Sequence, residues 1–191
     1  AGVKEEYEIY EPADYIEKSV EAAEEKYKPY IMIIDDQMYV TDSLKMALED
    51  NDLKVEAIND PNEAISKIRP NPPDIILLDI NMPEMNGFEI LEQLKLFGTL
   101  KDLPVIMLTA RNTRNDIMKA IGLGAVDYII KPFNYKHILR KIVKYLPEAK
   151  RNFCAAIIEK DKLNGSDFEI AEITEKEEEI KNKIEDLLNK I

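Results

Sequence analysis

Five short apolar runs, each followed by an amphipathic stretch, set the strongest limit on how this chain can fold. The runs lie at residues 30–35, 53–58, 74–79, 104–108 and 125–130. The first, third and fourth are almost wholly apolar, with cores Tyr30-Ile31-Met32-Ile33-Ile34, Ile75-Ile76-Leu77-Leu78 and Val105-Ile106-Met107-Leu108. A strand buried on both faces reads this way, whereas a strand with one wet face alternates. Helices are expected between and after the runs, at 38–50, 61–68, 87–97, 113–123 and 135–145, so strand and helix alternate five times. That alternation specifies an α/β fold, a five-stranded parallel sheet doubly wound by helices. The second run, Leu53-Lys54-Val55-Glu56-Ala57-Ile58, is more polar and is expected near an edge. Asp60-Pro61-Asn62-Glu63 offers an N-cap, a proline at the first helical position and the acidic partner of a capping box.

In an open parallel sheet the ligand site forms beyond the carboxyl ends of the strands, and the chemically distinctive residues fall there. Strand one ends in Asp35-Asp36, strand three in Asp79, strand four in Thr109, and strand five runs into Lys131-Pro132. Three carboxylates would thus converge with a hydroxyl and an ammonium. Carboxylates so crowded raise one another's pKa unless a cation offsets them, and oxygen ligands select a hard ion such as Mg2+. Lys131 and a divalent ion would then hold the oxygens of a phosphoryl group on Asp79. Phosphoryl transfer asks mainly for positioning and charge stabilisation, and this set of groups supplies both.

Composition narrows the partners. A net charge of −12 opposes the sequence-independent grip on nucleic acid that Lys and Arg provide, so a protein partner and no direct nucleic-acid binding are expected. Much of the acidity lies in the flanks, at Glu5, Glu6, Glu8 and Glu11 and again at Glu175, Glu177, Glu178 and Glu179. No apolar run approaches the roughly 20 residues needed to cross a bilayer. The opening residues also lack the basic and apolar regions of a signal peptide, so no membrane association and a cytoplasmic location are the expectations. Cys154 is the only cysteine, which excludes a disulfide or thiolate cluster within one chain and leaves an ordinary thiol.

Four segments, in order, carry a resemblance. They are Ile31-Met32-Ile33-Ile34-Asp35-Asp36, the run from Leu77 through Asp79 to Gly87, Leu108-Thr109-Ala110, and Asp127-Tyr128-Ile129-Ile130-Lys131-Pro132-Phe133. Together they resemble the signature of the response-regulator receiver domain of two-component systems, chemotaxis-regulator-like, with a flavodoxin-like fold. The resemblance implies that Asp79 is the phosphoacceptor and that Asp36, Asp79 and the main-chain carbonyl of Asn81 bind Mg2+, with Asp35 acting mostly through a metal-bound water. Lys131 and Thr109 would contact the phosphoryl oxygens. Thr109 and Tyr128 would form a switch that reshapes the surface of the fourth helix, fifth strand and fifth helix. Ala110 would leave the phosphoryl group accessible, Lys131-Pro132 resembles the family's cis peptide bond, and Gly87 and Pro83 would shape the loop after Asp79. Arg111 and Asn81 stand where the family tunes the lifetime of the acyl phosphate. The implied donor is a sensor histidine kinase or a phosphotransfer protein, and the output is a downstream protein partner. Such a domain is no enzyme in the usual sense, since it catalyses only its own phosphorylation and dephosphorylation.

Residues 30–146 are therefore read as the receiver domain, 1–29 as an N-terminal helical extension and 147–191 as a C-terminal helical extension. In the first flank Ile16, Val20, Ala23 and Tyr27 recur at helical spacing. In the second, a short helix is expected at 152–162 and a last helix carries Ile173, Ile180, Ile184, Leu187 and Ile191 on one stripe. Its heptad register offers a homodimer through a short coiled coil, and packing on the receiver is the alternative. His137, the sole histidine, is expected on the surface of the fifth helix. Two rival readings stand beside the receiver. An aspartyl-phosphate hydrolase of the haloacid-dehalogenase kind needs an acid two positions after its nucleophile, and neither Asp35 nor Asp79 has one. A phosphorylation-independent scaffold would be expected to lose Asp79 or Lys131. A module of a larger hybrid signalling protein remains the main alternative.

Overall fold

The computed structural model describes residues 28–110 and 114–154. Its elements are β1 (Tyr30–Ile34), α1 (Met38–Glu49), β2 (Lys54–Ile58), a 3-10 turn (Pro61–Glu63) leading into α2 (Ala64–Ile68), β3 (Ile75–Asp79), α3 (Gly87–Leu96), β4 (Val105–Thr109), α4 (Arg114–Gly122), β5 (Asp127–Ile130) and α5 (Tyr135–Tyr145). All strand pairs are parallel and the sheet order is β2-β1-β3-β4-β5. This is the doubly wound parallel sheet expected from the alternation. The polar second strand does lie at an edge, while every residue of β1, β3 and β4 is buried.

Because successive strand residues point to opposite faces, the three apolar strands feed two cores at once. Met32, Ile34, Ile76, Leu78 and Met107 pack with Ile68 of α2, Leu91 of α3 and Ile117 of α4. Ile31, Ile33, Leu77 and Leu108 pack with Leu44 and Leu48 of α1 and Ile138 and Ile142 of α5. Each such side chain, fully buried, contributes about 1.5–3 kcal/mol, so the central strands are the least deformable part of the molecule.

Three local expectations are corrected. Asp60 does cap, accepting from the backbone N–H of Asn62 at 2.9 Å, but the chain turns in 3-10 form and Glu63 pairs with Lys67 at 2.9 Å. The capping box forms instead at α3, where the Asn86 side chain accepts from the backbone of Glu89 and the Glu89 carboxylate accepts from the Asn86 N–H. His137 is not a surface residue, being 1% exposed. Polarity misplaced it because α5 is screened from water along nearly its whole length, with Lys144 its one exposed residue. Of the helix expected at 152–162 only 152–154 are described, and they belong to a helical run that starts at 148, earlier than expected. The interruption at Pro147 is as expected, with Leu146 extended ahead of it. The apolar stripes of both flanks, and with them the homodimer reading, lie outside the described residues.

The 148–154 helix is tied down by Lys150, whose ammonium is 2.6 Å from the Asp74 carboxylate, and by Cys154, which is wholly buried in the core beneath α1 and α5. Burial pushes the Cys154 thiol up to about 12 from an ordinary 9.0. Since the unfolded chain loses this proton first, the burial penalises folding only as pH rises from 9 toward 12. Iodoacetamide at pH 8 should therefore leave Cys154 unmodified in the native protein and alkylate it once the chain is unfolded in urea. Native-state alkylation at the unfolded rate would show that the helix does not stay docked.

Candidate functional site

The ends of four strands deliver the expected residues to one place. Asp35 and Asp36 follow β1, Asp79 closes β3, Thr109 closes β4 and Lys131 follows β5. Lys131 precedes a cis proline and its backbone N–H donates to the Thr109 carbonyl at 2.7 Å, which aims the side chain back over the sheet end. Its ammonium lies 2.6 Å from Asp35 Oδ2 and 2.6 Å from Asp79 Oδ1. Asp35, Asp36 and Asp79 each present a carboxylate oxygen within 4.8 Å of the others. Asp79 Oδ2 accepts the Asn81 N–H at 2.7 Å, and Asp35 Oδ1 accepts the Gln37 N–H at 3.0 Å. Asp36 Oδ1 is buried with no hydrogen-bond partner among the described residues.

Burial makes this arrangement electrostatically lopsided. Asp35 is 0% and Asp79 2% exposed, and the single lysine leaves three carboxylates short of compensation. Desolvation raises the Asp79 carboxyl above its usual range, Lys131 opposes that by hydrogen bond and charge, and Asp35 adds to the rise. For Lys131, burial favours loss of the proton, but its bonds to Asp35 and Asp79 win and hold the ammonium charged. The site is built to receive further positive charge, and an uncompensated buried carboxylate oxygen, Asp36 Oδ1, suits a hard cation.

The loop after β3 is fixed by contacts the sequence showed only in part. A Cβ on Gly87 would lie 2.1 Å from the Asp79 carbonyl oxygen, so α3 starts hard against the residue at the centre of the site. Pro83 accepts the Met85 N–H at 2.7 Å, and Glu84 takes a left-handed φ of 63°, held by Asn62 at 2.8 Å from its carboxylate. Gly87 and Pro83 were legible; Glu84 was not, because nothing in a glutamate announces that conformation.

Tyr128 is 4% and Thr109 1% exposed, on adjacent strands. Sequence reasoning missed Lys141 on α5. Its ammonium donates to Asp127 Oδ1 and to the Tyr128 carbonyl, both at 2.9 Å, and stands 5.1 Å from the centre of the Tyr128 ring. Tyr145 donates to Asp127 Oδ2 at 3.0 Å. The spacing of Lys141 and Tyr145 is an ordinary helical i, i+4, and no local pattern announces a partner across the β5–α5 connection. Beside the site a cleft of about 570 Å³ opens, lined by Gln37, Tyr39, Ser43, Lys131, Phe133 and Tyr135. Tyr39 on its α1 side is 71% exposed, and its chain neighbour Met38 is 63% exposed.

A five-stranded sheet of this order, with three aspartates and a lysine gathered at its carboxyl end, defines the receiver class of signalling domain. A profile of the response regulator receiver domain matches residues 31–143, more than half of the chain, and the chain belongs to that family. Response regulator MprA of Mycobacterium tuberculosis is 36% identical over 120 residues, an overlap covering 63% of this chain and 51% of the relative. The chain thus spans about half the length of the curated relatives it matches. Among solved structures, chemotaxis protein CheY4 of Vibrio cholerae is 28% identical with a TM-score of 0.60, covering 62% of this chain and 99% of that one. A CheY-like receiver domain protein of Methanospirillum hungatei is 30% identical with a TM-score of 0.59, covering 65% and 98%. The receiver domain of a signal transduction histidine kinase from Syntrophus aciditrophicus is 30% identical with a TM-score of 0.57, covering 62% and 89%.

Gly87 offers a direct check of the loop. The atoms a new methyl would meet are backbone, so Gly87→Ala should destabilise the protein by at least the 1–3 kcal/mol, roughly, of an overpacked core position, read from urea unfolding. A neutral substitution would mean that α3 does not start against the Asp79 carbonyl.

Proposed function

We propose that Asp79 accepts a phosphoryl group from the phosphohistidine of a sensor histidine kinase or phosphotransfer protein, or from a small donor such as acetyl phosphate. An Asp79 carboxylate oxygen would attack phosphorus, the P–N bond would break, and the imidazole would leave with a proton. The observation that carries this reading is the buried Asp79 carboxylate held at 2.6 Å by the Lys131 ammonium beside an unpartnered Asp36 oxygen. Asp36, Asp79 and the Asn81 main-chain carbonyl would hold Mg2+, with Asp35 acting through a water. Bound there, Mg2+ supplies the positive charge that three carboxylates and a phosphoryl group require. Lys131 and the Thr109 hydroxyl would contact the phosphoryl oxygens.

The exposed Tyr39, on the cleft that Lys131 also lines, and the exposed Met38 next to it in the chain support a protein donor, since apolar surface beside a reactive group suits a docking partner. The added charge, about −1.5 to −2, would draw Thr109 toward the phosphoryl group and favour the inward ring of Tyr128. A downstream protein partner would read the resulting surface of α4, β5 and α5. The receiver would span 30–146, with the flanks serving output. A place within a larger signalling protein is the second reading, favoured by the likeness to a receiver domain taken from a histidine kinase.

Two measurements test the proposal. Incubation with acetyl phosphate and Mg2+ should add one phosphate by intact mass, and Asp79→Asn should abolish it while keeping the fold. Incorporation at normal yield in that variant, mapped to another residue, would overturn the assignment. Mg2+ should raise the melting temperature, because it binds the folded acidic site in preference to the unfolded chain, and Asp36→Ala should erase the rise. An undiminished response would place the ion elsewhere.

A further inference from the structure

The segment after β2 reaches across to the site without contributing an acid to it. Ladder pairing of β1 with β2 ends at Ile34 and Ile58, and one further rung joins the Asp35 N–H to the Ile58 carbonyl at 3.2 Å. The chain then leaves the sheet for the Asp60 cap and the 3-10 turn. Asn59, half-buried between the two, continues the pairing with its side chain. Its amide nitrogen donates to the Asp35 carbonyl at 2.8 Å and to the Thr41 hydroxyl at 2.9 Å. Thr41 is wholly buried on α1 and spends its own proton on the Met38 carbonyl at 3.0 Å. The Asp35 carbonyl can only accept, and Thr41 Oγ1 has only lone pairs left, so both partners require a donor. One amide nitrogen with two hydrogens meets both requirements, which a carboxylate or a single hydroxyl in its place would not.

We propose that Asn59 is a positioning residue for the Mg2+ site, acting through the peptide unit that joins Asp35 to Asp36. The inference rests on the reading of Asp36 as a ligand of that ion. Asn59 holds the carbonyl of this peptide unit, and rotation of the unit would swing the Asp36 Cα and its carboxylate. With no hydrogen bond on the buried Asp36 Oδ1, the place of that oxygen is set from the backbone side. Beyond Asp36, the Gln37 N–H donates to Asp35 Oδ1 at 3.0 Å, and the Gln37 carbonyl accepts from the N–H groups of Val40 at 2.9 Å and Thr41 at 3.2 Å. The main chain is thus fastened on both sides of Asp36, and through Asn59 it is fastened to a different loop. Mg2+ demands near-ideal octahedral geometry, so a ligand allowed to swing binds it less well. Groups that orient ligands without touching the metal typically cost about 10–100-fold in affinity when removed.

Calorimetric titration of the full chain with MgCl2 tests the role, with urea unfolding in the absence of metal as the companion measurement. Asn59→Ala should stay folded and bind Mg2+ at least about tenfold more weakly than wild type. Thr41→Val, which removes the second acceptor, should weaken binding in the same direction, and Thr41→Ser, which keeps the hydroxyl, should bind as wild type does. Asn59→Ala that loses stability but binds Mg2+ as tightly as wild type would make the residue merely structural and overturn the proposal. Thr41→Ser that binds as weakly as Thr41→Val would also overturn it, since the hydroxyl would then not be what matters. Failure of wild type itself to take up Mg2+ would overturn the metal reading of Asp36, and this inference with it, whereas uptake by wild type and Asn59→Ala alike overturns the positioning role alone.

Discussion

A single ammonium between two buried carboxylates governs this structure. Lys131 reaches Asp35 and Asp79 at equal distance, and without it both acids would lose their only close positive partner among the described residues. Breaking such a buried pair costs about 3–5 kcal/mol in general, an appreciable part of the 5–15 kcal/mol that holds a typical domain together. The sheet supplies the rigidity that makes the arrangement worth its cost. Asp79 and Thr109 are the last residues of strands whose every side chain is buried, and the Lys131 N–H is fastened to the Thr109 carbonyl. Positions so fixed cannot relax to ease the repulsion among Asp35, Asp36 and Asp79, and that unrelieved charge is what makes the site receptive to a cation.

The parts of the fold written in local pattern were legible from the sequence. Five strands, five helices and the edge position of β2 followed from apolar runs such as Ile75-Ile76-Leu77-Leu78 and from the mixed polarity of Lys54-Val55-Glu56. The convergence of Asp35, Asp36, Asp79, Thr109 and Lys131 followed in turn, because strand ends in a parallel sheet lie together. What escaped was decided between segments distant in sequence. His137 carries a polar ring and was placed outside, yet tertiary packing buries it. Glu63 had the spacing of a capping-box acid and chose Lys67, while the box formed at Asn86 and Glu89. The left-handed Glu84 is stabilised by Asn62, 22 residues away, and no local rule finds such a pair.

Lys141 shows how the site and the outer helix are joined. Its ammonium spans the carboxylate of Asp127 and the carbonyl of Tyr128, and Tyr145 completes the ring of contacts from the next turn of α5. Burial and the Asp127 charge hold the Tyr145 hydroxyl protonated well above its ordinary range, so it stays a donor across the physiological span. Through this cluster α5 is fixed to the strand that carries Tyr128 and leads into Lys131. A movement of the β5 backbone at Asp127 and Tyr128 would act on these α5 contacts directly.

The dependence of the site on Lys131 can be measured by a double-mutant cycle in urea with Lys131→Met, Asp79→Asn and the pair, without metal. If one ammonium compensates the buried acids, Lys131→Met alone should cost about 3 kcal/mol or more, and its cost should shrink by at least about 1 kcal/mol once Asp79 is neutral. Costs that add within about 0.5 kcal/mol would mean that Lys131 and Asp79 do not share a charge balance, and would contradict the account of the site given above.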